Sequence, residues 1–213
     1  MIHIFQKLLD ILFPIECIGC GKKDILLCPD CFNSMKINEP EFFSTKYINQ
    51  VHVCASFHQV LLQKIIHLYK YSYIEKLSES LSKLVINYYS RIESKIEDPI
   101  IIPVPLHRKR LLLRCFNQSE LIAQNFCQEF NYQSKNDLIA RVKHTKQQAK
   151  LDKKGRIENI KNAFKVLDKV FIKDKNFIII DDLYTTGSTV GEIAQLLKNN
   201  GARQIWCIVV AKN

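Results

Sequence analysis

Glycine and proline are scarce in this chain of 213 residues, six of each. That scarcity excludes a collagenous or low-complexity protein. Long apolar runs are missing too: the longest, Pro99 to Leu106, spans eight residues and includes three prolines. A membrane-spanning helix needs about 20 apolar residues, so none is expected. Residues 1–13 carry no basic leader, are interrupted by Asp10 and precede no small-residue cleavage site, so they do not read as a secretory signal. No Gly-x4-Gly-Lys-Ser/Thr string exists, which removes the common nucleoside-triphosphate loop. Acidic residues are also in deficit, 21 against 31 Lys and Arg. What remains, 47% hydrophobic and 24% charged, is an ordinary globular composition for one or two domains with a real core.

The charge is concentrated. Between Ile101 and Lys165 there are 14 Lys/Arg and 5 Asp/Glu, a net +9 of the chain's +10. Such a field attracts a nucleic acid, a di- or triphosphate or an anionic lipid surface; the plain alternative is a solvated basic face.

Eight cysteines fall into two classes. Cys54, Cys115, Cys127 and Cys207 are scattered among apolar neighbours. Cys17, Cys20, Cys28 and Cys31 form two Cys-x2-Cys pairs seven residues apart. Each pair offers two sulfurs on one side of a turn, and together they make the four thiolates of a structural zinc site. A redox dithiol and an iron–sulfur centre are the competing readings. A disulfide scaffold fits poorly, and a reducing cytoplasm is the expected compartment.

Residues 2–13 read as a short amphipathic helix stopped by Pro14. Val51, Val53, Ala55 and Phe57 alternate as in a strand. Leu61 to Tyr69 and Leu77 to Tyr88 keep helical spacing. Ile100-Ile101-Ile102 is a buried strand ended by prolines, and Asn117-Gln118-Ser119-Glu120 looks like a capping-box helix start. Asp137–Val142 suggests a strand and 143–162 an exposed basic loop or hairpin. Phe177–Ile180 and Ile205–Val210 are buried strands, separated by a helix from Thr189 to Asn199 that Gly201 closes. Strands alternating with helices imply a parallel sheet flanked by helices.

The most informative stretch is Ile178-Ile179-Ile180-Asp181-Asp182-Leu183-Tyr184-Thr185-Thr186-Gly187-Ser188-Thr189. Two carboxylates end a buried strand, where open α/β sheets bind ligands. A hydroxyl-rich loop and a helix start follow, which together cradle a phosphate. Carboxylates accept from paired sugar hydroxyls, so the motif suits a ribose 5-phosphate. An N-capped helix after an Asp-rich turn is the bland alternative. A haloacid-dehalogenase start fails because Leu183 stands where a second acid is required.

These residues resemble the phosphoribosyl-diphosphate (PRPP) motif of type I phosphoribosyltransferases, and nearly the whole chain is similar to the ComF family. The four-cysteine segment agrees, as do Lys70-Tyr71, Pro103-Val104-Pro105-Leu106 leading to Arg110 and Arg114-x-Phe116-Asn117-Gln118, and Gln147 with Arg156-x-x-Asn159 before Phe164. One departure is Cys115, where the family usually has glycine. The resemblance implies a type I phosphoribosyltransferase-like fold, with a helix and zinc module over residues 1–40 and the phosphoribosyltransferase-like domain over 41–213, its core beginning near 98. It assigns PRPP, with Mg2+, to Asp181, Asp182, Thr185, Thr186, Gly187, Ser188 and Thr189. Lys109, Arg110 and Arg114 then face the diphosphate. Residues 141–162 stand where these folds carry a hood, so Arg141, Lys143, Lys146, Lys150 and Arg156 are candidate polyanion contacts. ComF proteins act in natural transformation. The expected role is therefore handling incoming single-stranded DNA beside other uptake proteins, in the cytoplasm or at the inner face of the inner membrane. Tyr69, Tyr71, Tyr73, Phe116 and Tyr184 are its candidate stacking rings. The alternative is an active phosphoribosyltransferase whose acceptor no residue in the sequence reveals.

Overall fold

Phe177–Ile180 and Ile205–Ala211 are apolar without alternation, the pattern of strands covered on both faces. In the structure, a computed structural model that describes residues 15–145 and 153–213, they lie side by side at the centre of a six-stranded sheet. In chain order the strands are β1 (Phe42–Phe43), β2 (Gln50–Ser56), β3 (Ile100–Pro103), β4 (Gln133–Ser134), β7 (Asn176–Tyr184) and β8 (Gln204–Lys212). Their spatial order is β1-β2-β8-β7-β3-β4, parallel except for β1, which pairs antiparallel with β2. Two short strands, β5 (Ile139–Arg141) and β6 (Phe164–Val166), form a separate antiparallel pair. The expected strand near 137–142 is therefore present but stands outside the main sheet.

Helices cover both faces. On one side lie α2 (Val60–Tyr71), α3 (Leu77–Ser90) and α5 (Gln118–Phe130). Leu62, Ile65, Ile66 and Tyr69 of α2 keep i, i+3, i+4, i+7 spacing and are all buried against the sheet. The cysteine segment and its short helix α1 (Pro29–Ser34) join the same core through Cys17, Leu27, Cys28 and Phe32. On the other side, α7 (Ser188–Asn199) buries Val190, Ile193 and Leu197 with the β5–β6 pair.

Three local expectations change. The segment after Pro105 contains a helix, α4 (Arg108–Arg114), and the basic stretch contains another, α6 (Lys153–Ile160), where a loop or hairpin was expected. At the start of α5, Asn117 makes no side-chain cap bond; its amide donates to the Val104 carbonyl at 3.2 Å instead. The expected helix over 2–13, together with Lys146, Gln147 and Lys150, lies outside the described residues. Among the described residues, no helix is long and apolar enough to cross a membrane.

Candidate functional site

At the C-terminal edge of the sheet, β7 runs on through Asp181 and Asp182 to Tyr184, so both carboxylates are held by strand geometry and do not hang from a loop. The Ser119 hydroxyl of α5 donates to Asp181 Oδ1 at 3.1 Å, and the Asp182 N–H donates to the same oxygen at 2.9 Å. Asp182 is buried and meets the Lys70 ammonium of α2 at 2.8 Å. Burial, and next the Asp182 carboxylate, push the Asp181 carboxyl up to about 7, against the pull of Lys70 and the two hydrogen bonds.

The loop after β7 turns at Gly187, whose φ of +72° is left-handed. A Cβ there would also collide with the Tyr184 ring, so both backbone and space call for glycine. Tyr184 is therefore a packing residue under the loop. The Thr186 and Ser188 hydroxyls hydrogen-bond each other at 2.9 Å. Thr185, Gly187, Ser188 and Thr189 line a small hollow at the start of α7, where backbone N–H groups and the helix dipole favour an anion.

A cavity of about 340 Å³ joins these parts. Asp181, Asp182, Thr185 and Thr189 lie on one side of it, and Arg110, Arg114 and Arg141 bring positive charge from α4 and β5. Arg110 donates to the Thr145 carbonyl and Arg141 to the Thr145 hydroxyl, each at 2.6 Å, and Arg114 donates to Gln118 at 3.0 Å. Arg141 Nε and Gln118 Nε2 are buried without a hydrogen-bond partner among the described residues. Burial first, then the neighbouring Arg110, bring the Arg141 guanidinium down to about 10. Three guanidiniums and two unpaired donors in one cavity lining are the chemistry that an anion needs.

Not every candidate converges. Lys109 lies outside the cavity lining, as does Lys143. Tyr69 is buried in the core, donating to the Gln118 carbonyl at 2.9 Å, and packs on the half-buried Phe116, so both have a packing role. Tyr71 lines the cavity beneath Arg114, with 5.9 Å from ring to guanidinium, and Tyr73 is exposed. Cys115 ends α4 with φ of +65°, so the usual glycine's backbone shape is kept by a residue that strains to adopt it. Sequence reasoning missed the roles of Lys70, Ser119 and the α2 wall of Gln63, Ile66 and His67. Lys70 was noted only within the Lys70-Tyr71 resemblance and Ser119 only as part of a helix start, while for Gln63, Ile66 and His67 an ordinary amphipathic face gave no signal.

The four N-terminal sulfurs all lie within 4.8 Å of one another. Cys20 and Cys28 sulfurs are 3.7 Å apart, close to the roughly 3.8 Å edge of a tetrahedron with metal–sulfur bonds of about 2.3 Å. The Cys28 N–H donates to Cys17 Sγ at 3.3 Å, which favours a thiolate. Gly19 is required beside them, because a Cβ there would press into Cys31. The geometry fits one four-coordinate metal ion with no open position.

Residues 118–213 match the phosphoribosyl transferase domain family. The chain is 36% identical over 152 residues to the DNA utilization protein YhgH of Shigella flexneri, covering 69% of this chain and 66% of that protein. It is 30% identical over 202 residues to the Salmonella typhi protein of the same name, covering 90% of this chain and 87% of the relative. Competence protein F of Haemophilus influenzae is 39% identical over 106 residues, 49% of this chain and 46% of that protein. Sheet, site and similarity define a protein with a type I phosphoribosyltransferase fold. The chain belongs to the ComF family of phosphoribosyltransferase-like proteins.

Proposed function

We propose that this protein binds PRPP at the C-terminal edge of its sheet and uses its basic surface to handle single-stranded DNA entering the cytoplasm during natural transformation. The observation that carries the ligand assignment is the meeting, in one cavity, of paired carboxylates, a hydroxyl loop at a helix start and three arginines. The Thr185–Thr189 loop takes the 5-phosphate, Asp181 and Asp182 take the ribose hydroxyls, and Arg110, Arg114 and Arg141 take the diphosphate. Magnesium, when bound, neutralises charge between diphosphate and sugar oxygens, and Asp181 and Asp182 are the carboxylates placed to hold its waters. Zinc is the metal that four close thiolates without an open position suit best, and its role here is structural. The DNA half of the proposal draws on the names of the relatives, DNA utilization protein and Competence protein F, and on the basic stretch bordering the cavity.

Calorimetry tests the ligand. Magnesium-dependent PRPP binding is expected, with affinity falling at least a hundredfold when Asp181→Asn and Asp182→Asn are combined, since neutral amides lose charge-assisted bonds. Equal affinity in the double variant would place the ligand elsewhere.

A second reading, an active phosphoribosyltransferase, draws support from the same cavity, whose lining also includes Phe57, Gln63, Ile66 and His67, side chains that the sugar and phosphate assignments leave unused. Diphosphate release that depends on one compound from an acceptor panel distinguishes it from a binding protein.

A further inference from the structure

Lys70 stands apart from the other cations of the cavity. The three arginines rest on neutral partners, a carbonyl, a hydroxyl and an amide. Lys70 instead closes an ion pair on Asp182, one of the carboxylates assigned above to the sugar. Its side chain is only 18% exposed, and that of Asp182 only 9%. Lys70 therefore occupies one oxygen of the group that a diol would use.

Its position along α2 matters as much. The next residue, Tyr71, lies under Arg114, so this end of α2 touches the arginine side of the cavity while Lys70 reaches the carboxylate side. A ligand whose sugar rests on Asp182 and whose diphosphate rests on the arginines spans the two groups that this end of α2 reaches. Two kinds of ligand meet different fates there. A ribose phosphate without the diphosphate must compete with the ammonium for Asp182, or leave a half-buried ammonium unpaired, which is unfavourable. A ligand carrying the diphosphate supplies a phosphate oxygen that replaces or shares the carboxylate as partner.

We propose that Lys70 is a specificity-determining residue that makes occupancy of the sugar site depend on an anionic group at the anomeric position. The inference rests on the PRPP reading and deepens it. It follows that the empty site guards its carboxylates, and that the discrimination between PRPP and ribose 5-phosphate resides partly in α2, outside the segment that carries the phosphate loop.

The test measures two affinities by calorimetry with magnesium at neutral pH, for PRPP and for ribose 5-phosphate. Wild type is expected to prefer PRPP strongly. Lys70→Met should shrink that preference at least tenfold, with ribose 5-phosphate bound as well as before or better, and Lys70→Arg should restore most of it. Lys70→Gln, which keeps a hydrogen bond to Asp182 without the charge, is the second variant should the methionine protein fold poorly, and it should share the loss. An unchanged ratio in either folded variant, or a parallel loss of both ligands, overturns the proposal while leaving the PRPP site standing. Binding of neither ligand by wild type refutes the PRPP reading itself, and the role of Lys70 with it.

Discussion

Asp181 is the carboxyl group of this cavity whose protonation is shifted by burial. Its carboxyl is held near 7 by burial and by Asp182, well above the value near 4 that it has in an unfolded chain. The native state thus binds the proton more tightly than the unfolded one, and this residue's contribution to stability is full below about pH 4 and is lost as pH rises toward 7. Asp181→Asn removes that loss. We expect the variant to melt higher than wild type at pH 8, by about 5 °C or more, since roughly 2–4 °C accompanies each kcal/mol in a chain of this size. The difference should vanish near pH 4. Thermal melts across that range check it, and a variant that melts lower at pH 8 would contradict the assignment. The same residue shows what could be read from sequence alone. Asp181, Asp182 and the Thr185–Thr189 loop are contiguous, so their spacing announced a diol grip beside a phosphate grip. Lys70, Ser119 and Arg141 arrive from three other elements, and nothing local in the chain records that they meet.

At the scale of elements, periodic burial was the readable signal. The helices α2 and α3 declare themselves by apolar positions at the helical period, and the strands β7 and β8 by unbroken apolar runs. By contrast, β1 and β4 are two residues each, and only their neighbours in the sheet make them strands. The helix α4, Arg-Lys-Arg-Leu-Leu-Leu-Arg, buries none of its residues and so has no face to betray it. The cysteine segment was legible from spacing, and its packing was not: Cys17, Cys28 and Phe32 share the core of α2 and α3. Loss of its metal should therefore be felt beyond residues 17–31. Native mass spectrometry should show one zinc per chain, abolished by combining Cys28→Ser with Cys31→Ser, and the metal-free protein should unfold at a lower temperature. Stoichiometric iron, or a folded protein with no metal, would refute the zinc assignment.

Across the whole molecule, the charge is uneven along the chain, with +9 of the net +10 between residues 101 and 165. Arg110, Arg114 and Arg141 of that stretch line the cavity, so the proposed ligand site is built partly from it. Single-strand DNA binding should weaken linearly in log–log form as salt rises, with a slope of about −0.7 per phosphate neutralised. Fluorescence anisotropy on a labelled oligonucleotide measures it, and affinity indifferent to salt would remove the electrostatic role proposed for this surface. The sheet order has a consequence of another kind, for synthesis. The strand β8 lies between β2 and β7, yet it is built from residues 204–212, after every other strand. At about 5–20 residues per second, β2 waits on the order of ten seconds on the ribosome for the partner that completes its ladder. During that interval the β2 edge stands open on the nascent chain, joined by the β7 edge once residue 184 is made, ready to pair with another copy. A pause between β7 and β8 would prolong the state in which both edges are open, so the yield of folded protein should respond to translation speed there.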